Sequence, residues 1–131
     1  MVKVGPRELR IYETSSGECP FEDWLDGFRD AVGRARIQVR LDRIEQGNLG
    51  DNKSVGGGVR ELRIDFGPGY RVYFAEDGPV IVLLLIGGDK STQTKDIKTA
   101  RKYWNEYREV NDASTLQKLQ RKPAAPSKRQ R

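Results

Sequence analysis

GVRELRIDFGPGYRVYFAEDGPVIVLLLIGGDKSTQTKDI, residues 58–97, is the stretch that decides the fold. Residues 59–65 alternate, with Leu62 and Ile64 on one side and Glu61, Arg63 and Asp65 on the other, the period of a half-buried strand. Phe66-Gly67-Pro68-Gly69 reads as a turn, because glycine supplies positive φ and proline fixes its own. Residues 70–75 alternate again, with Val72 and Phe74 to one face and Arg71 and Tyr73 to the other. A second turn, Glu76-Asp77-Gly78-Pro79, leads into residues 80–86, which are apolar throughout and so read as a central strand buried on both sides. The turns are short, which makes both pairings antiparallel. Arg63, Arg71 and Tyr73 then share one face, with Lys90 just beyond the third strand.

Working outward, residues 7–13 (RELRIYE) are expected to form a first strand, and the segment starting at Cys19-Pro20 a helix with Phe21, Trp24, Leu25 and Phe28 as its apolar stripe. A second helix is expected over about 30–46, with Val32, Ala35, Val39 and Arg43 on one line and Ile37, Leu41 and Ile44 broadening it. Gly33 is a possible break between the two, and Gly47 a natural stop. Residues 47–58 (GNLGDNKSVGGG) lack a closing Gly-Lys-Ser/Thr and lead into a strand, so flexible linkage is the better reading than a phosphate cradle. A last helix runs from 89 to about 110, with Ile97, Ala100, Tyr103, Trp104 and Tyr107 as its apolar side. The order is β-α-α-β-β-β-α: an α+β domain with two N-terminal helices packed on a small, mainly antiparallel sheet. Residues 1–110 are expected to form this domain and 111–131 a basic, disordered tail.

The chain has 131 residues and a net charge of +5. Residues 112–131 carry six Lys/Arg against one acid, a net +5, so residues 1–111 balance eighteen against eighteen. The basic character belongs to the tail, and nucleic-acid binding by the body must rest on clustering. A single cysteine and no histidine argue against a disulfide scaffold and a zinc site of the usual ligands, and fit a reducing, cytoplasmic setting. No membrane span, metal or cofactor is expected.

Residues 58–100 closely resemble the addiction-module killer branch of the RelE/ParE toxin superfamily, most specifically in ELRIDFGPGYRVYF (61–74) and LLLIGGDKSTQTKDI (83–97). The resemblance implies the toxin of a type II toxin–antitoxin module, neutralised by a cognate helix-turn-helix antitoxin. RelE-like members cut mRNA on the ribosome without a metal. ParE-like members instead inhibit DNA gyrase, and a degenerate binding module is a further alternative. On the nuclease reading, Arg71 matches the phosphate-binding arginine and Lys90 a second basic residue, with Arg63 as a third. Tyr73 is a candidate for base stacking or proton handling, general-base duty falls to Glu61 or a lysine, and Arg60, Lys95 and Lys53 are assigned to RNA contacts. Asp89, Ser91 and Thr92 read equally as a helix cap or as ligand contacts.

Overall fold

A computed structural model describes the backbone of residues 5–120 and the side chains of residues 5–111. The elements are β1 (Glu8–Ile11), α1 (Pro20–Asp26), α2 (Ala31–Glu45), β2 (Asn52–Ser54), β3 (Val59–Ile64), β4 (Tyr70–Asp77), β5 (Ile81–Asp89), a single 3-10 turn (Lys90–Thr92) and α3 (Gln93–Gln120). The expected tail from 121 onward lies outside the described residues, and α3 continues ten residues past the expected end at 110.

The α+β class stands, but the sheet has five strands in the order β1-β5-β4-β3-β2. β3, β4 and β5 pair antiparallel as expected, while β1 lies parallel to β5, so the sheet is mixed. The fifth strand is the correction to the glycine-rich segment. Asn52–Ser54 pairs antiparallel with β3, and Gly56, Gly57 and Gly58 turn the chain at φ of +92°, +65° and +86°. This triplet is not loose. The Arg101 side chain lies over it and donates to the Val55 carbonyl, and Trp104 packs on Gly58.

Helices cover both faces of the sheet, not one. On one face Phe21 of α1 and Ile37, Leu41 and Ile44 of α2 pack on Leu62, Ile64, Val72, Phe74, Val82 and Leu84. On the other, Ala100 and Trp104 of α3 pack on Val59, Tyr73, Ala75, Leu83 and Leu85. The expected α2 line through Val32, Ala35, Val39 and Arg43 is the wrong one. Those four are exposed, and only the broadening residues Ile37, Leu41 and Ile44 go inward. Helical spacing alone permits either line; the sheet beneath selects one. The break between α1 and α2 falls at residues 27–30, and Gly33 lies within α2. Asp30 caps α2 by accepting from the Gly33 N–H at 2.9 Å. Gly33 itself is required because a Cβ there would sit 2.6 Å from the Tyr70 ring.

The Gly87-Gly88 pair sets how closely the layers approach. A bulge in the β4–β5 pairing after Tyr73 shifts the alternation on β5. Gly87 then faces α1 and Gly88 faces α3. A Cβ on Gly87 would fall 2.2 Å from the Trp24 ring, and one on Gly88 would fall 1.9 Å from an Asp96 carboxylate oxygen. Trp24 cannot move aside, because Phe28 and Tyr70 hold it edge-on at centroid distances of 4.8 and 6.4 Å. Gly87→Ala therefore overpacks a filled interface, and should lower unfolding free energy by about 1–3 kcal/mol, read as a shifted urea midpoint.

Candidate functional site

The polar cluster begins as a consequence of strand register. Arg63 of β3 pairs directly with Arg71 of β4, and Glu61 with Tyr73 one row along. Side chains of directly opposed residues share a face, so two guanidinium groups stand side by side, an arrangement that costs stability unless neutralised. Glu61 supplies the negative charge. Its carboxylate is 0% exposed and lies 3.4 Å from Arg63 Nε and 3.8 Å from Arg71 Nε. It accepts hydrogen bonds from the Tyr73 hydroxyl at 3.0 Å and from Gln93 Nε2, at the start of α3, at 2.7 Å.

This corrects two expectations. Tyr73 and Glu61 do share the face of Arg63 and Arg71, but that face is not open to solvent there. Both residues are fully buried beneath α3. Burial and the bond to Glu61 push the Tyr73 phenol far above its ordinary value. Its ring cannot stack a base in this arrangement, and its proton is committed to Glu61. Sequence patterning placed α3 after the sheet without saying which face it would cover.

Arg71, Arg63 and Lys90 do come together. Arg71 is 8% exposed, and its guanidinium donates to the carbonyls of Gly69 at 3.2 Å and Tyr70 at 3.4 Å. A Cβ built on Gly69 would lie 3.4 Å from both Arg71 Nη1 and Lys90 Cβ, so the two basic residues flank the same glycine. Lys90 is exposed, and the Arg63 side chain is 38% exposed. Arg71 Nε is buried with no hydrogen-bond partner. Two guanidinium groups and an ammonium thus gather at one end of the sheet, with Glu61 between the guanidinium groups, Asp96 against Gly88 opposite Arg71, and Asp89 next to Lys90 in the chain.

Lys53, on edge strand β2, is directly opposite Glu61 and so borders the same face, exposed. Arg60 does not join them. It alternates to the α2 face, where its Nε donates to Asn52 Oδ1 at 2.6 Å. Lys95 stands on the exposed side of α3, away from the inward-facing Ile97, Ala100 and Trp104. Asp89, Ser91 and Thr92 act as a cap: Asp89 Oδ1 accepts from the Ser91 N–H at 2.8 Å, and Thr92 Oγ1 accepts from the Asp89 N–H at 3.3 Å.

Sequence reasoning missed Gln93 and Asp96. Both fall on the same helical line as Ile97, Ala100 and Trp104, so the available signal was a polar residue inside an apolar stripe. Asp96 is buried under Gly88 and accepts from the Thr92 hydroxyl. Also missed was the brace behind the site. The Tyr70 hydroxyl donates to Asp30 Oδ2 at 2.7 Å, which ties the residue before Arg71 to the cap of α2. Among the described residues no three His, Cys, Asp or Glu side chains are grouped to hold a metal ion, and no helix is long and apolar enough to cross a membrane.

Residues 23–105, more than half of the chain, match the family model described as phage derived protein Gp49-like (DUF891). A relative from Haemophilus influenzae, described as an uncharacterized protein, is 52% identical over 81 residues, which span 62% of this chain and 82% of that protein.

Two outcomes test the cluster. Glu61→Ala leaves Arg63 and Arg71 facing one another without a counterion, and should cost about 3–5 kcal/mol of stability by chemical denaturation. The bond to Asp30, with burial second, pushes the Tyr70 phenol from 10.0 up to about 12. The folded state therefore holds this proton more tightly than the unfolded chain. The contribution is complete below pH 10.0 and is lost as pH rises towards about 12. Tyr70→Phe should lose less stability than the parent across that window in pH-resolved melts.

Proposed function

From the chain's membership of the Gp49-like family, we propose that it is the toxin of a type II toxin–antitoxin module, acting as a ribosome-dependent mRNA endoribonuclease. A cognate helix-turn-helix antitoxin neutralises it. The observation that carries this reading is the convergence of three basic side chains at one end of the sheet: Arg63 and Arg71 on adjoining strands, held by the buried Glu61, and the exposed Lys90 beside them.

Cleavage at a ribose 2′-hydroxyl passes through a pentacoordinate phosphate that carries extra negative charge. Preorganised cations aimed at that charge do not have to reorganise at the moment of reaction. In this reading Arg71, Lys90 and the exposed edge of Arg63 receive the phosphate, and Lys53 extends the cationic border along the RNA. Glu61 and Tyr73 hold the guanidinium groups in place from below. Their burial fits a positioning role better than general-base or stacking duty. Arg60 and Lys95 have no part in the phosphate contact.

Induced expression tests the reading. The parent should arrest translation rapidly and leave cuts within translated mRNA. Arg71→Ala should abolish both. Lys90 is exposed, so Lys90→Ala keeps the fold and serves as the cleaner variant. It should slow cleavage on purified ribosomes by about 100-fold, the scale of removing one transition-state donor. Full cleavage by both variants would remove the cluster from the chemistry. SOS induction with trapped gyrase–DNA, in place of mRNA cuts, would move the activity to gyrase.

A further inference from the structure

The line along α2 that spacing marked as apolar, and that the fold leaves uncovered, has its own organisation. Val32, Arg36, Val39 and Arg43 follow one another at helical intervals on the exposed side. Val32 is 56% and Val39 47% exposed, two of the four large hydrophobic side chains exposed among the described residues. Beside them runs a groove of about 430 Å³ lined by Arg36, Val39, Arg40, Arg43, Ile64 and Asp65. Its floor is apolar and its rim carries three arginines against one aspartate.

Two of the arginines are already fixed. The Arg36 guanidinium sits 4.5 Å over the Phe66 ring, and Arg40 donates to the carbonyls of Arg63 and Asp51. Binding a partner would order little that is not ordered already. Burial lowers the Arg40 pKa, the nearby Asp51 carboxylate raises it and the Arg43 charge lowers it, so two like charges share this rim.

We propose that this groove docks an acidic, amphipathic helix of a partner protein. The two valines stand seven residues apart, about 10 Å along the α2 axis at 1.5 Å per residue. An apolar i, i+7 pair on a second helix matches that spacing, with carboxylates flanking it to meet Arg36 and Arg43. A nucleic-acid backbone would satisfy the rim but would cover the valine and isoleucine floor with phosphate. The groove lies on the α2 face of the sheet, opposite the Arg63–Arg71 cluster, so its occupant leaves that cluster accessible. The inference stands whether or not the chain cleaves RNA.

The probe is a labelled sixteen-residue helical peptide with leucine at i, i+4 and i+7 and glutamate at flanking positions. Its control is a scramble of the same composition. Fluorescence anisotropy measures binding to the full chain, and methyl NMR locates it. The peptide should shift the Val32 and Val39 methyl signals and bind at least tenfold more tightly than the scramble. R36E combined with R43E should weaken it at least tenfold, and V39D should do the same without changing charge at the rim arginines. Circular dichroism confirms that both variants are folded. K90A, on the other face, should bind the peptide like the parent. Equal binding of peptide and scramble overturns the proposal, as does indifference to the α2 variants or no shift at millimolar peptide. Displacement by a short RNA that itself shifts the valine methyls would assign the groove to nucleic acid and also overturn it.

Discussion

A single buried carboxylate is what the centre of this protein depends on. Register on β3 and β4 forces Arg63 and Arg71 together, and both are tethered to strands that cannot slip without turning their apolar sides outward. Glu61 makes that pairing tolerable. It is fully enclosed, so its attraction for the two guanidinium groups is screened far less than a surface ion pair would be. The same enclosure would make an unpaired Glu61 costly. Tyr73 and Gln93 both donate to its Oε2, and Gln93 brings the start of α3 onto the sheet. One interaction thus joins three elements and gathers Arg63 and Arg71 at their shared end.

The layers can close around that centre because two consecutive glycines on β5 have no side chains. The bulge after Tyr73 turns Gly87 to Trp24 and Gly88 to Asp96 and Thr92. Aromatic packing among Trp24, Phe28 and Tyr70 then fixes the junction of α1 and α2 to the start of β4. Tyr70 belongs to that cluster on one face while Arg71, its neighbour, belongs to the cationic cluster on the other. Movement at the α1–α2 junction would therefore be felt by the guanidinium group one residue away. On the far side, α3 is held by the Tyr107 hydroxyl donating to Asp77 at 2.6 Å and by Arg101 on the Val55 carbonyl. Those bonds keep the cover over Glu61 closed.

The two faces of the sheet serve different ends. The α3 face concentrates charge around a sealed carboxylate. The α2 face packs Ile37, Leu41 and Ile44 inward and leaves a mixed valine–arginine line outside. The sequence of α2 contains two apolar lines, and only one is needed for the core. The second is surplus to folding, which is why an interaction role is the reading that accounts for it.

Much was legible in the residues alone. Alternation in 59–65 and 70–75 placed Leu62, Ile64, Val72 and Phe74 on one face and Glu61, Arg63, Arg71 and Tyr73 on the other, because side-chain direction along a strand is fixed by parity. The unbroken apolar run of β5 marked a strand covered on both sides. These are local properties of the backbone. Other features required the whole fold. Three residues of β2 make no strand until β3 offers its edge, and β1 shows no parallel pairing in its own sequence. The burial of Tyr73 and the role of Gln93 depend on where α3 lands, the latter through a contact with Glu61, thirty-two residues earlier. Parity determined which side chains share a face; only the packing of a distant helix decided which part of that face is sealed and which meets solvent, because burial is a property of neighbours that local sequence does not contain.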